Sequence, residues 1–153
     1  MGNSNFNENT RVQVPAALHL CKLGYTYLDN ICAYDTNTNI LIDVFLNAIK
    51  RLNPTMSSQD VSLLFSKIIN IADNDDLGRE FYQLLSATSG VKLIDFDNPD
   101  NNDWHVTTEF TCENEDTDDN FRPDITCFVN GLPLAFIEVK KPNNHEGILA
   151  ERE

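Results

Sequence analysis

Asn130-Gly131 separates two apolar runs, Ile125-Thr-Cys-Phe-Val129 and Leu132-Pro-Leu-Ala-Phe-Ile137. An Asn-Gly pair so flanked is the strongest short-range signal for a β-hairpin, because both residues tolerate the positive φ of a tight turn. Two neighbouring strands are therefore expected, Arg122–Val129 and Leu134–Lys140. Into this apolar pattern are set one acid, Asp124, and the triplet Glu138-Val139-Lys140. Carboxylates within a buried strand are costly unless a cation or hydrogen-bond donors compensate them.

Side chains alternate along a strand, so Glu138 and Lys140 share one face while Val139 points to the other. If Asp124 lies on the Glu138 face of the adjacent strand, two carboxylates and an ammonium converge. Two carboxylate oxygens, a backbone carbonyl and water form a hard-oxygen site suited to Mg²⁺. The lysine would position a water or stabilise charge developing on a phosphoryl group, and the chemistry is phosphodiester hydrolysis. Register decides the matter. A regular two-residue turn pairs Val129 with Leu132, sets Asp124 opposite Ile137 and turns it away from Glu138. A three-residue loop pairing Phe128 with Leu132, or an equivalent bulge, restores the shared face. The alternative reading of the same residues makes Glu138 and Lys140 the solvent face of an edge strand, with Asp124 capping a turn after Pro123.

The rest of the chain divides in two. Residues 1–90 read as mainly helical and 91–153 as a β core, together one domain. Val12, Ala16, Leu20 and Leu23 mark a first helix between Thr10 and the stop at Gly24, with Pro15 delaying its regular part to about Val14. Tyr25–Leu28 reads as a short strand. Ile40, Leu41, Val44, Phe45, Ala48, Ile49 and Leu52 follow the 3.6-residue period of a helix capped by Thr38 or Asn39. Ser57 and Asp60 resemble a capping box before Val61, Leu64, Phe65 and Ile68. A further helix is expected from about Leu77 to Leu85. Strands are then expected at Val91–Phe96 and Trp104–Cys112, before the hairpin strands. The acidic stretches 97–103 and 113–120 read as solvated loops. An EF-hand is excluded for Asp116–Asn120, since its ligand spacing is absent. Gly147–Glu153 opens a helix that breaks off, the pattern of a fragment of a longer protein.

Composition narrows the function classes. No apolar run approaches a membrane span and no signal peptide opens the chain, so a cytoplasmic location is expected. Cys21, Cys32, Cys112 and Cys127 lack metal or redox spacing and read as reduced thiols. His19, His105 and His145 show no ligand spacing. The net charge of −13 argues against a free-standing DNA-binding domain, whose affinity comes largely from phosphate neutralisation. Arg122 and Lys141, which flank the acids, are the local candidates for phosphate contacts.

At Arg-Pro-Asp124, Phe-Val-Asn-Gly-Leu-Pro-Leu134 and Ile-Glu138-Val-Lys140 the chain resembles the PD-(D/E)xK nuclease core of the restriction (motor) subunit of type I restriction–modification enzymes. Glu8-Asn-Thr-Arg-Val12 and Leu-Gly-Tyr25 resemble that subunit's first helix; residues 30 to 100 match no motif. The resemblance implies an α/β (α+β) restriction-endonuclease-like core, a mixed central sheet flanked by helices. It implies Asp124 and Glu138 as metal-binding acids, Lys140 as the catalytic lysine and the Val139 carbonyl as a metal ligand. Glu8 would match the acid of the first helix. The family's Gln-x-x-x-Tyr helix, which follows the lysine, is not reached by Glu153. Further implications are Mg²⁺ as cofactor, DNA as substrate, modification and specificity subunits as partners, and ATP used by motor domains outside this chain. That division of labour accommodates the acidic charge, because the nuclease domain need not grip DNA alone. A different PD-(D/E)xK nuclease, of the repair or resolvase kind, and a non-catalytic interaction domain retaining the fold are the alternatives.

Overall fold

The computed structural model describes residues 12–140 apart from 32, 73, 88 and 114–119. Its regular elements are α1 (Val14–Lys22), β1 (Thr26–Tyr27), α2 (Ile42–Leu52), α3 (Ser58–Ala72), α4 (Arg79–Leu85), β2 (Trp104–Thr108), β3 (Ile125–Val129) and β4 (Leu132–Ile137). The strands form one mixed sheet in the order β1-β2-β3-β4, with β1 parallel to β2 and the other pairs antiparallel. The fold is α/β, with helices preceding the hairpin, as the residue pattern requires. Glu8, Lys141, His145 and the expected helix at Gly147–Glu153 lie outside the described residues.

Val12, Ala16 and Leu20 of the first helical segment pack on Val106, Ile125, Cys127 and Val139, so α1 covers one face of the sheet. Val12 and Gln13 form a wider π-type turn, and regular α-helix begins at Val14 with Pro15 in its first turn. Leu23, counted in the apolar pattern of this helix, stays exposed, as do Val14 and Leu18. On the other side Phe128 packs with Leu41, Phe110 and Cys112. Phe45 and Ile49 of α2 meet Val61, Leu64 and Ile68 of α3, with Leu93 and Leu132. Phe45, Ile49 and Ile68 are fully buried, each stabilising the fold by about 1.5–3 kcal/mol relative to exposure.

The expected capping box is present. Ser57 donates its N–H (2.9 Å) and Oγ (2.7 Å) to Asp60 Oδ2, and the Asp60 N–H donates to Ser57 Oγ at 3.2 Å. Thr38 and Asn39 do not cap α2, which starts at Ile42 after Leu41. Thr38 instead donates to Asp35 Oδ1, and Asn39 exchanges side-chain bonds with the main chain of Glu113. The last short helix begins after Gly78, whose φ of 76° serves the turn before it; Leu77 is fully exposed.

Val91–Phe96 is not a strand. Its main-chain groups are taken by asparagine side chains: Asn53 bonds both Lys92 N and Lys92 O, Asn102 bonds both Asp95 N and Asp95 O, and Asn130 donates to Leu93 O. With those groups occupied, no ladder is needed. The expected strand Trp104–Cys112 ends at Thr108, because Glu109 adopts a left-handed φ of 54°; Cys112 then makes a single bridge to Phe121. No disulfide joins the described cysteines Cys21, Cys112 and Cys127. No helix among the described residues is long and apolar enough to cross a membrane.

Candidate active site

The hairpin combines both outcomes weighed for its register. Asn130 and Gly131 have φ of 51° and 81°, and Val129 pairs with Leu132 across a two-residue turn. The ladder then slips: Phe128 pairs with Pro133 but Cys127 pairs with Ala135, leaving Leu134 as the extra residue of a bulge. Pro133 has no N–H to continue a regular ladder, and bulges on edge strands are where proline is tolerated. Beyond the slip Ile125 pairs with Ile137. One step further sets Asp124 beside Glu138, on the face opposite the α1-covered Ile125, Ile137 and Val139. The bulge therefore supplies the parity that a simple Asn-Gly hairpin would have denied.

Asp124 is held at both its main-chain and its side-chain ends. Its carbonyl oxygen accepts the Gln13 side-chain amide at 2.6 Å and the Glu109 N–H at 3.0 Å. Its carboxylate Oδ2 accepts the Val139 N–H at 2.8 Å, tying the acid directly to the Glu138-Val139-Lys140 segment. Pro123, immediately before it, is fully buried. Asp124 and Lys140 are half-buried, Glu138 is exposed, and the Val139 side chain is buried in the α1-facing core. Partial desolvation pushes the Glu138 carboxyl up, and the Asp124 carboxylate adds to this by charge and by a shared hydrogen bond; a hydrogen bond from the Asp124 main chain and then the Lys140 ammonium pull the other way.

Asp124, Glu138 and Lys140 thus meet. Arg122 is exposed nearby with Nη2 3.7 Å from Glu109 Oε2. Phe121 and Phe136, both about half exposed, stack edge-on at 5.3 Å. His105 lies along β2, its Nδ1 buried without a hydrogen bond among the described residues and its pKa lowered by burial, in keeping with an ordinary neutral imidazole. The Gln13 and Glu109 contacts were not legible in the sequence. Gln13 is one polar residue between two valines, and Glu109 sits in a run that reads as continuous strand.

Hard oxygens from two adjacent acids, whose mutual repulsion a cation would relieve, fit a divalent metal such as Mg²⁺. Among the described residues no group of three or more His, Cys, Asp or Glu side chains is placed to hold one, so backbone carbonyl and water would complete the shell.

Comparison with known proteins gives a concordant result. The family described as "Type I restriction enzyme R protein N terminus" matches residues 5–151. A Methanocaldococcus jannaschii protein named "Putative type I restriction enzyme MjaIXP endonuclease subunit" is 30% identical over 167 residues, covering 94% of this chain. The chain spans 16% of that relative's length. No solved structure matches it. The chain belongs to the family of type I restriction enzyme R protein N-terminal regions.

Proposed function

We propose that this chain is the endonuclease region of a type I restriction subunit, with a PD-(D/E)xK core that hydrolyses DNA phosphodiester bonds using Mg²⁺. The observation that carries the reading is the Leu134 bulge, which sets Asp124 beside Glu138 and joins them through the Val139 N–H. Asp124 and Glu138 supply carboxylate oxygens and Val139 its carbonyl. Mg²⁺ bound there would act as a Lewis acid and lower the pKa of a coordinated water. With Oδ2 engaged by Val139 N–H, Asp124 presents its other oxygen in a fixed orientation. Lys140 lies near enough to Glu138 to affect its ionisation; in this reading it would orient a water and balance charge on a phosphoryl oxygen. Arg122 and Lys141 would contact flanking phosphates.

In the full protein, modification and specificity subunits would select the DNA and ATP-driven motor domains would deliver it. The net charge of −13 then predicts weak cutting by this 153-residue chain alone. Robust ATP-independent cleavage of plasmid by the isolated chain with Mg²⁺ would contradict this. In the assembled full-length complex, Asp124→Ala is expected to lower Mg²⁺-dependent plasmid cleavage more than about a hundredfold. Unchanged cleavage would refute the nuclease reading. The competing reading is a non-catalytic interaction domain that retains the fold. That reading requires no Mn²⁺ or Mg²⁺ binding that depends on Asp124.

A further inference from the structure

Gln13 is 2% exposed at the foot of an otherwise apolar helix face. A buried amide is costly unless it is bonded, and an apolar side chain would fill such a place more cheaply. What the amide reaches is not a neighbour in sequence. Its Nε2 donates at 2.6 Å to the main-chain oxygen of Asp124, 111 residues away. The same oxygen accepts the Glu109 N–H at 3.0 Å. Glu109, the donor, has a left-handed backbone, φ 54°, a conformation that costs a non-glycine residue about 1–3 kcal/mol and persists where the surroundings impose it. Asp124 precedes β3, so its carbonyl lies outside the named strand pairing and these two donors fix it. The carboxylate end is held separately by Val139 N–H. Gln13 itself lies in the π-type turn Val12–Gln13, and such a turn departs from the regular helical path that begins at Val14.

We infer that Gln13 is a positioning residue for the metal-binding acid: the start of the first helix clamps the Asp124 main chain and so fixes where its carboxylate points. This deepens the nuclease reading and rests on Asp124 being a metal ligand. Gln13 touches neither metal nor DNA in this scheme; it acts through Asp124. Hydrogen-bond partners that orient a ligand change metal affinity by about 10–100-fold when removed.

The test uses the full-length subunit without nucleotide. Mn²⁺ binding is followed by electron paramagnetic resonance, and the relevant sites are those lost in Asp124→Ala. Gln13→Met, of similar volume but without a donor, is expected to bind Mn²⁺ at those sites about tenfold more weakly. The measurement is made well below the unfolding temperature, so a purely structural role would leave the affinity unchanged. Wild-type affinity in folded Gln13→Met overturns the inference. Should Gln13→Met not fold, Gln13→Asn withdraws the same amide by one methylene. A displacement of about 1 Å is enough to disturb a reacting geometry, and unchanged affinity there overturns the inference equally. If Asp124→Ala itself binds Mn²⁺ as the wild type does, the nuclease reading has failed. If only the Gln13 variants do so, the positioning role alone has failed.

Discussion

A Cβ placed on Gly131 would lie 2.7 Å from the Leu41 carbonyl oxygen and 2.8 Å from Phe45 N, both main-chain atoms at the start of α2. Those atoms cannot swing aside as a side-chain tip could, and the φ of 81° disfavours any side chain. Gly131→Ala is therefore expected to destabilise the domain by more than about 3 kcal/mol, measured by urea unfolding. Asn130 beside it is fully buried, accepting from Asp103 N–H and donating to Leu93 O and Asn102 Oδ1. Asn130→Ala strands those partners and should cost about 1–3 kcal/mol. The same asparagine-rich corner holds Asp95. The Asn101 side-chain amide first, then the Asn98 N–H, lower its carboxyl below the ordinary 3.8. A lowered acid contributes stability above its unfolded pKa and loses it as pH falls through the folded value. The stability gap between wild type and Asp95→Ala should stay level from neutral pH to about pH 4 and close below that, as followed by thermal melts across pH.

Within the hairpin, the bulge at Leu134 decides which side chains form the site. A regular ladder that kept Leu134 would pair it with Cys127 and turn Glu138 and Lys140 toward α1, whereas deleting Leu134 leaves Ala135 opposite Cys127 and Glu138 beside Asp124. The expected result of the deletion is therefore retained Asp124-dependent Mn²⁺ binding, together with native-like secondary structure. Mn²⁺ titration beside circular dichroism would check both. Much of this was legible beforehand. The Asn-Gly turn, the Ser57–Asp60 box and the amphipathic pattern of α2 and α3 depend on local chemistry, which residues a few positions apart display. The bulge was legible only as a requirement, since the sequence shows Pro133 but not where the ladder resumes. Val91–Phe96 misled because its apolar residues suit a strand, whereas asparagines outside the segment, Asn53 and Asn130 far along the chain and Asn102 nearby, occupy its backbone. Thr38 and Asn39 failed as caps because other partners took their side chains, Asp35 three residues back for Thr38 and the distant Glu113 for Asn39.

Across the whole molecule the acid excess has a thermodynamic signature. With Glu138 raised by burial and by Asp124, the folded state binds that proton more tightly than the unfolded chain. Its contribution to stability is present below the unfolded value of 4.5 and is lost as pH rises through the folded one. At neutral pH without metal, Glu138→Gln should therefore be slightly more stable than wild type. Solvent screening of this exposed group keeps the gain under about 1 kcal/mol. Added Mn²⁺ should raise the melting temperature of wild type but not of the variant. Other consequences follow from the hydrogen bonds Leu41 N–Gly131 O, 2.9 Å, and Gln13–Asp124. Both join the helical half to the hairpin across long stretches of chain, 111 residues for Gln13–Asp124, so their formation must wait for large loops to close. The order of events on the ribosome is thereby set: the helices are made first and can collapse, while the acids find their places only after Val139 has emerged. The pairing of the two acids would thus be a late step, completed on a helical half already made.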